Sequence, residues 1–178
     1  MVNVLMKRLV VIVGLVVVWS SSASAQSTAT AQEPPATMRL SGPRVGITYL
    51  SPDVVTQIKE DFDRDVNPVI SQFGWQFEKR FLTGDNGATA VTEWVTLVGG
   101  ADQGLFIPSV TWLVGFRTRE GVEFAAGPNA SAAGMGVALV AGVTARAGNL
   151  NVPFNFAVVP SQHGPRFSFL VGFNAKRN

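Results

Sequence analysis

The chain has 178 residues, no cysteine, 14 basic and 12 acidic side chains and a single histidine, with 47% apolar residues and only 15% charged ones. The missing cysteines exclude disulfide staples, thiol chemistry and cysteine-ligated metal; setting aside Lys7 and Arg8 leaves basic residues equal to the 12 acidic ones, with no basic stripe for nucleic acid. So low a charged fraction, against about 25% in an ordinary soluble domain, implies that something other than water faces part of the surface.

At the N-terminus, Lys7 and Arg8 precede an apolar run from Leu9 to Trp19, then Ser20, Ser21, Ser22 and the small triplet Ala23-Ser24-Ala25. This is the charged region, hydrophobic region and cleavage site of a secretory signal peptide, expected over residues 1–25. The apolar run is short for a bilayer crossing, which takes about 20 residues. Residues 26–42, small, polar and proline-containing at their start (QSTATAQEPPAT), read as a disordered leader. The folded domain is expected over 43–178.

Within that domain the dominant signal is a period of two, in eight segments: 45–50, 71–81, 89–98, 105–118, 122–126, 136–146, 151–159 and 166–174. Turn residues separate them, as in Thr83-Gly84-Asp85-Asn86-Gly87, Arg119-Glu120-Gly121, Ala147-Gly148-Asn149 and Ser161-Gln162-His163-Gly164-Pro165. Links this short make sequence neighbours antiparallel. The pattern predicts an all-β fold, an eight-stranded antiparallel up-and-down β-barrel. One amphipathic helix interrupts it between strands 1 and 2: Ser51 as N-cap, Pro52 at the first helical position and acidic Asp53, then Val54, Ile58, Phe62 and Val66 along one side until Asn67-Pro68. About four turns are expected. Asp61, Asp63 and Asp65 have the spacing of a calcium loop, but Val66 stands where that loop needs glycine and Gln72 where it needs glutamate, so they read as a solvated helix face.

Each strand has two unlike faces. One carries Phe73, Trp75, Phe77, Val110, Trp112, Val114, Phe116, Val137, Leu139, Val143, Phe154, Phe156, Phe167, Phe169 and Val171. The other is small or charged, with Gly74, Gly115, Gly136, Ala138, Gly142 and Gly172 beside Glu78, Arg80, Arg117, Glu123, Arg146 and Arg166, and with Glu93 nearby. Alternation alone does not say which face is inside: a soluble ligand-binding barrel turns its apolar face in, a membrane barrel turns it out. Three features favour apolar-out. Glycine suits a crowded interior and weakens an exposed strand. The strand charges are mostly Arg and Glu in both signs, suited to internal pairing. Lining an eight-stranded interior with so many rings would overfill it. Trp75, Trp112, Phe154, Phe156, Phe167 and Phe169 are therefore the expected lipid-facing residues. Glu78, Arg80, Arg117, Glu123 and Arg146 are the expected interior polar network.

On this architecture, and on the final strand Phe167-Ser-Phe-Leu-Val-Gly-Phe173, the chain from Pro43 to Asn174 resembles the small eight-stranded outer-membrane β-barrels of Gram-negative bacteria. The resemblance implies outer-membrane lipid and the barrel-assembly machinery as partners. Such proteins usually end on an aromatic residue, whereas here Phe173 is followed by Asn174-Ala175-Lys176-Arg177-Asn178. Some of these barrels deacylate lipid A, using a histidine with a serine two residues later and a downstream glutamate. Here His163 is followed at that spacing by Pro165, and no acidic residue lies beyond it. No catalytic residue, cofactor site or metal site is expected: a lone histidine without cysteine makes no metal centre. The expected function is a non-enzymatic outer-membrane barrel for envelope integrity, surface interaction or minor permeation. The alternative is a soluble periplasmic or secreted barrel that binds an apolar ligand.

Overall fold

The computed structural model describes residues 39–175. The expected signal peptide (1–25) and most of the expected leader (26–42) lie outside the described residues. The strands are β1 (Gly42–Leu50), β2 (Val69–Thr83), β3 (Thr89–Gly99), β4 (Ile107–Arg117), β5 (Val122–Ser131), β6 (Gly134–Ala147), β7 (Leu150–Val159), β8 (Arg166–Gly172) and the two-residue β9 (Asn174–Ala175). Each of β1 to β8 pairs antiparallel with its sequence neighbours, and the β1–β8 ladder closes the sheet into an eight-stranded barrel.

β9 is β8 continued. Asn174 and Ala175 pair with Asn151 and Leu150 in the register in which β8 pairs with β7, and the gap between them falls opposite Val152 and Pro153. Pro153 has no N–H to give the ladder. The β4–β5 ladder has a similar gap between Thr111↔Asn129 and Val114↔Ala126, opposite Gly127 and Pro128, with no change of register. The fifth strand does not stop at Ala126 as its Gly-Pro-Asn predicts. It keeps its β6 partners through Pro128 to Ser131, so proline costs it one ladder and not the strand.

The helix α1 (Pro52–Phe62) follows β1, as expected, but it is 11 residues long and not four turns. Asp63 ends it in the left-handed region, at φ 52° and ψ 43°, a conformation that Asp tolerates better than most residues. Val66 nevertheless reaches the same apolar cluster from the following loop. With Val54, Ile58, Leu50, Ile70, Leu105, Ile107 and Ala133, it closes one mouth of the barrel. This is the plug end, shared by the loops before β2, β4, β6 and β8. The opposite turn end carries the three hairpin turns before β3, β5 and β7. There the chain is already ordered ahead of β1: Leu40 is buried, and the Ser41 hydroxyl accepts from the Glu78 N–H at 2.9 Å.

Interior glycines let the strands coil tightly. A Cβ on Gly46 would strike the Phe169 carbonyl, and one on Gly74 the Thr96 carbonyl, so backbone occupies the space a side chain would need.

Candidate functional site

Strand parity places the large apolar side chains outside. Trp75, Trp112, Phe156, Phe167 and Phe169 are exposed, with Phe154 half-buried between neighbours. The rings pair across strands, Trp94 with Trp112 at 6.1 Å, Phe116 with Phe124 at 5.7 Å and Phe156 with Phe167 at 6.4 Å between centroids. The Trp112 indole N–H also donates to Thr92 Oγ1 at 2.8 Å. Exposed apolar side chains of this kind stand on every strand from β1 to β8.

The lumen holds the charges. Arg117 comes from β4 and its hairpin partner Glu123 from β5, directly opposite in register. Glu78 and Glu93 are likewise cross-strand partners on β2 and β3. Arg117 Nε donates to Glu123 Oε2 at 2.7 Å, and its Nη2 lies 2.6 Å from Glu78 Oε2 and 3.1 Å from Glu93 Oε1 and also bonds Glu123. One guanidinium thus gathers three carboxylates, all four side chains no more than 3% exposed. Asn155 Nδ2 extends the group by donating to Glu123 Oε1 at 3.3 Å. In the low dielectric of a filled lumen such bonds are strong when complete and costly when broken.

Of the five residues expected to form the network, the structure brings together Glu78, Arg117 and Glu123. Arg80 faces the same side, two residues closer to the turn end. Arg146 is exposed, and its Nη2 donates to the Arg119 carbonyl at 2.6 Å, tying β6 to the β4–β5 turn.

Glu93, outside the five expected residues, joins the group through Arg117. Arg44, not among the expected residues, fills the turn end of the lumen: Nε donates to Gln76 Oε1 at 3.0 Å, Nη1 to Asn174 Oδ1 at 3.2 Å and Nη2 to the Leu40 carbonyl at 2.6 Å. Its signal in the sequence is parity, since Arg44, Gly46 and Thr48 alternate with Val45, Ile47 and Tyr49. The inward face is also less uniformly polar than its glycines and charges imply. Val95, Leu97, Leu113 and Leu170 pack there with Ala125, Ala138 and Val159.

Between the carboxylate group and the plug lies a cavity of about 70 Å³, bordered by Glu93, Arg166, Asn129, Thr111, Leu97 and Leu170 among others. At the plug end, Ser71 N–H and Oγ–H donate to Asp102 Oδ1 at 3.0 and 2.6 Å. The Ser71 hydroxyl bond is the main cause that holds the Asp102 carboxyl below its usual range. His163 is exposed on the β7–β8 loop. Among the described residues no group of acidic or histidine side chains is arranged to hold a metal ion, and no helix is long and apolar enough to cross a membrane.

The fold and its interior define a closed eight-stranded β-barrel with an ionic lumen and an apolar outer surface. No protein-family model, curated protein or solved structure matches this chain.

Proposed function

We propose that this chain is an exported, non-enzymatic outer-membrane β-barrel of a Gram-negative bacterium, working in envelope integrity, surface interaction or minor permeation. The observation that carries the reading is the inversion of the usual solvent order: Arg117 and three glutamates are buried in the lumen while Trp75, Trp112, Phe156 and Phe169 stand exposed on the outside. Hydrocarbon is the medium in which that arrangement is favourable. Closure supports it, because each of β1 to β8 has a partner strand on both sides, and a spanning sheet cannot leave an open edge. Strand lengths of 9 to 15 residues in β1 to β7 suit tilted crossings, which take about 9 to 11. The signal-peptide pattern ahead of Gln26 supports export.

The alternative, a soluble barrel carrying an apolar ligand, needs an apolar lumen of ligand size; here the lumen cavity is about 70 Å³ and bordered by Arg166 and Glu93. Fractionation of expressing cells tests the reading. Recovery in the membrane fraction, with release only by detergent, is the expected result. Release by osmotic shock as a detergent-independent monomer would overturn it.

A further inference from the structure

A buried guanidinium stands at the plug end of the lumen cavity without a counter-ion. Arg166 opens β8, points inward and is 6% exposed. Its Nη2 donates to two neutral acceptors, Asn129 Oδ1 at 2.9 Å and the Gly134 carbonyl at 3.1 Å. Its Nε is buried with no partner. The ion pairs of the lumen all belong to Arg117, and none among the described residues includes Arg166. A charge buried without compensation is among the costliest things a fold can hold.

The wall around Arg166 is donor-rich for a definite reason. Asn129 Nδ2 donates to Ser109 Oγ at 2.9 Å and to Thr111 Oγ1 at 2.8 Å. That turns the amide oxygen toward Arg166 and leaves each hydroxyl, already accepting one bond, with its own proton to give. Ser109 and Thr111 both border the cavity with Arg166. The wall's acceptors include Gln72 Oε1 and Asn155 Oδ1, both unpartnered, Gln76 Oε1, which accepts from Arg44, and the Glu93 carboxylate, which Arg117 already holds. A volume of about 70 Å³ is room for several water-sized occupants at about 10 to 15 Å³ each.

We propose that this cavity is a binding site for one small monovalent anion of halide size, held by Arg166 Nε–H with the hydroxyls of Ser109 and Thr111, with water over the acceptors. Nothing in this site depends on what surrounds the barrel, so its failure and failure of the membrane reading are separate results.

Bromide is the probe. The full chain is refolded in detergent in sodium bromide or in sodium gluconate at equal ionic strength, gluconate being too large for the cavity. The wild type is expected to melt about 3 °C or more higher in bromide. Arg166→Met, which removes the charge and keeps the bulk, is expected to lose that dependence and to melt above the wild type in gluconate. Crystals grown in bromide should show an anomalous peak in hydrogen-bond range of Arg166 Nε. This last measurement decides even if Arg166→Met does not fold. Equal melting of the wild type in the two salts, an equal bromide shift in wild type and Arg166→Met, or water alone at Nε with bromide only at the surface, would overturn the site.

Discussion

Arg117 shows how much of this molecule hangs on single side chains. Its two ion-pairing nitrogens satisfy three carboxylates from three strands, so truncating one carboxylate unbalances a buried group and does not merely remove a contact. Glu123→Ala is expected to cost roughly 3 kcal/mol or more, because it leaves the Arg117 Nε–H and the Asn155 amide buried without their acceptor. Glu120→Ala, in the adjoining exposed turn, should leave the denaturation midpoint where it is. Detergent-refolded protein titrated with denaturant compares the two, and equal small losses would mean that the lumen charges act singly. The interior glycines make a second case at this scale. Gly74 faces backbone, not a movable side chain, so Gly74→Ala forces strands β2 and β3 apart and is expected to cost about 1 to 3 kcal/mol. The same substitution at Gly84, in a turn where a Cβ meets only the Asn86 side chain and, at 3.8 Å, the Ala88 carbonyl, is the control.

Among the elements, α1 is the one with a removable role. Val54 and Ile58 are fully buried against Leu50, Ile70 and Ile107, while Phe62, which helical spacing sets on the same side, is 36% exposed because the helix turns away at Asp63. Ile58→Ala should therefore cost about 2 to 5 kcal/mol, the usual range for emptying a packed site, and Phe62→Ala much less. Chemical denaturation of both variants checks the order. Near-equal effects would mean that α1 is not seated in the mouth. The prolines teach a related lesson about strands. Pro128 and Pro153 each interrupt one ladder and leave the other intact, since a strand inside a closed sheet has partners on both sides.

For the whole molecule, the test is the medium outside. Phe169 points outward near mid-strand and is 46% exposed. In a membrane barrel Phe169→Arg is expected to cost about 2 to 4 kcal/mol, because a charge there must enter hydrocarbon. On a water-facing barrel the same change would leave stability unaltered. Topology has its own measurement. The membrane reading sets the plug end outside the cell, so a cysteine at Asp63 should react with an impermeant reagent on intact cells and one at Asp85, in a turn of the opposite end, should not. Labelling at Asp85 alone would reverse the orientation.

Periodicity, turn chemistry and residue size were enough by themselves to settle that this chain is all-β, that its strands run antiparallel, that a helix follows the first of them and which side chains share a face. These are local properties, written in the spacing of two between Phe73, Trp75 and Phe77 and in the Ser51-Pro52-Asp53 start. The sequence also separated an apolar set from a polar set, but alternation is symmetric and does not say which is inside. Only closure of the β1–β8 ladder decided that, because curvature brings small and polar residues together on the axis. The same is true of the central ion group. Glu78 with Glu93, and Arg117 with Glu123, are neighbours by register, but that the three carboxylates converge on the one guanidinium of Arg117 depends on the stagger of the strands around the barrel. Arg44 and Arg166, whose partners lie as far along the chain as Asn174 and Asn129, acquire their surroundings only when the barrel closes.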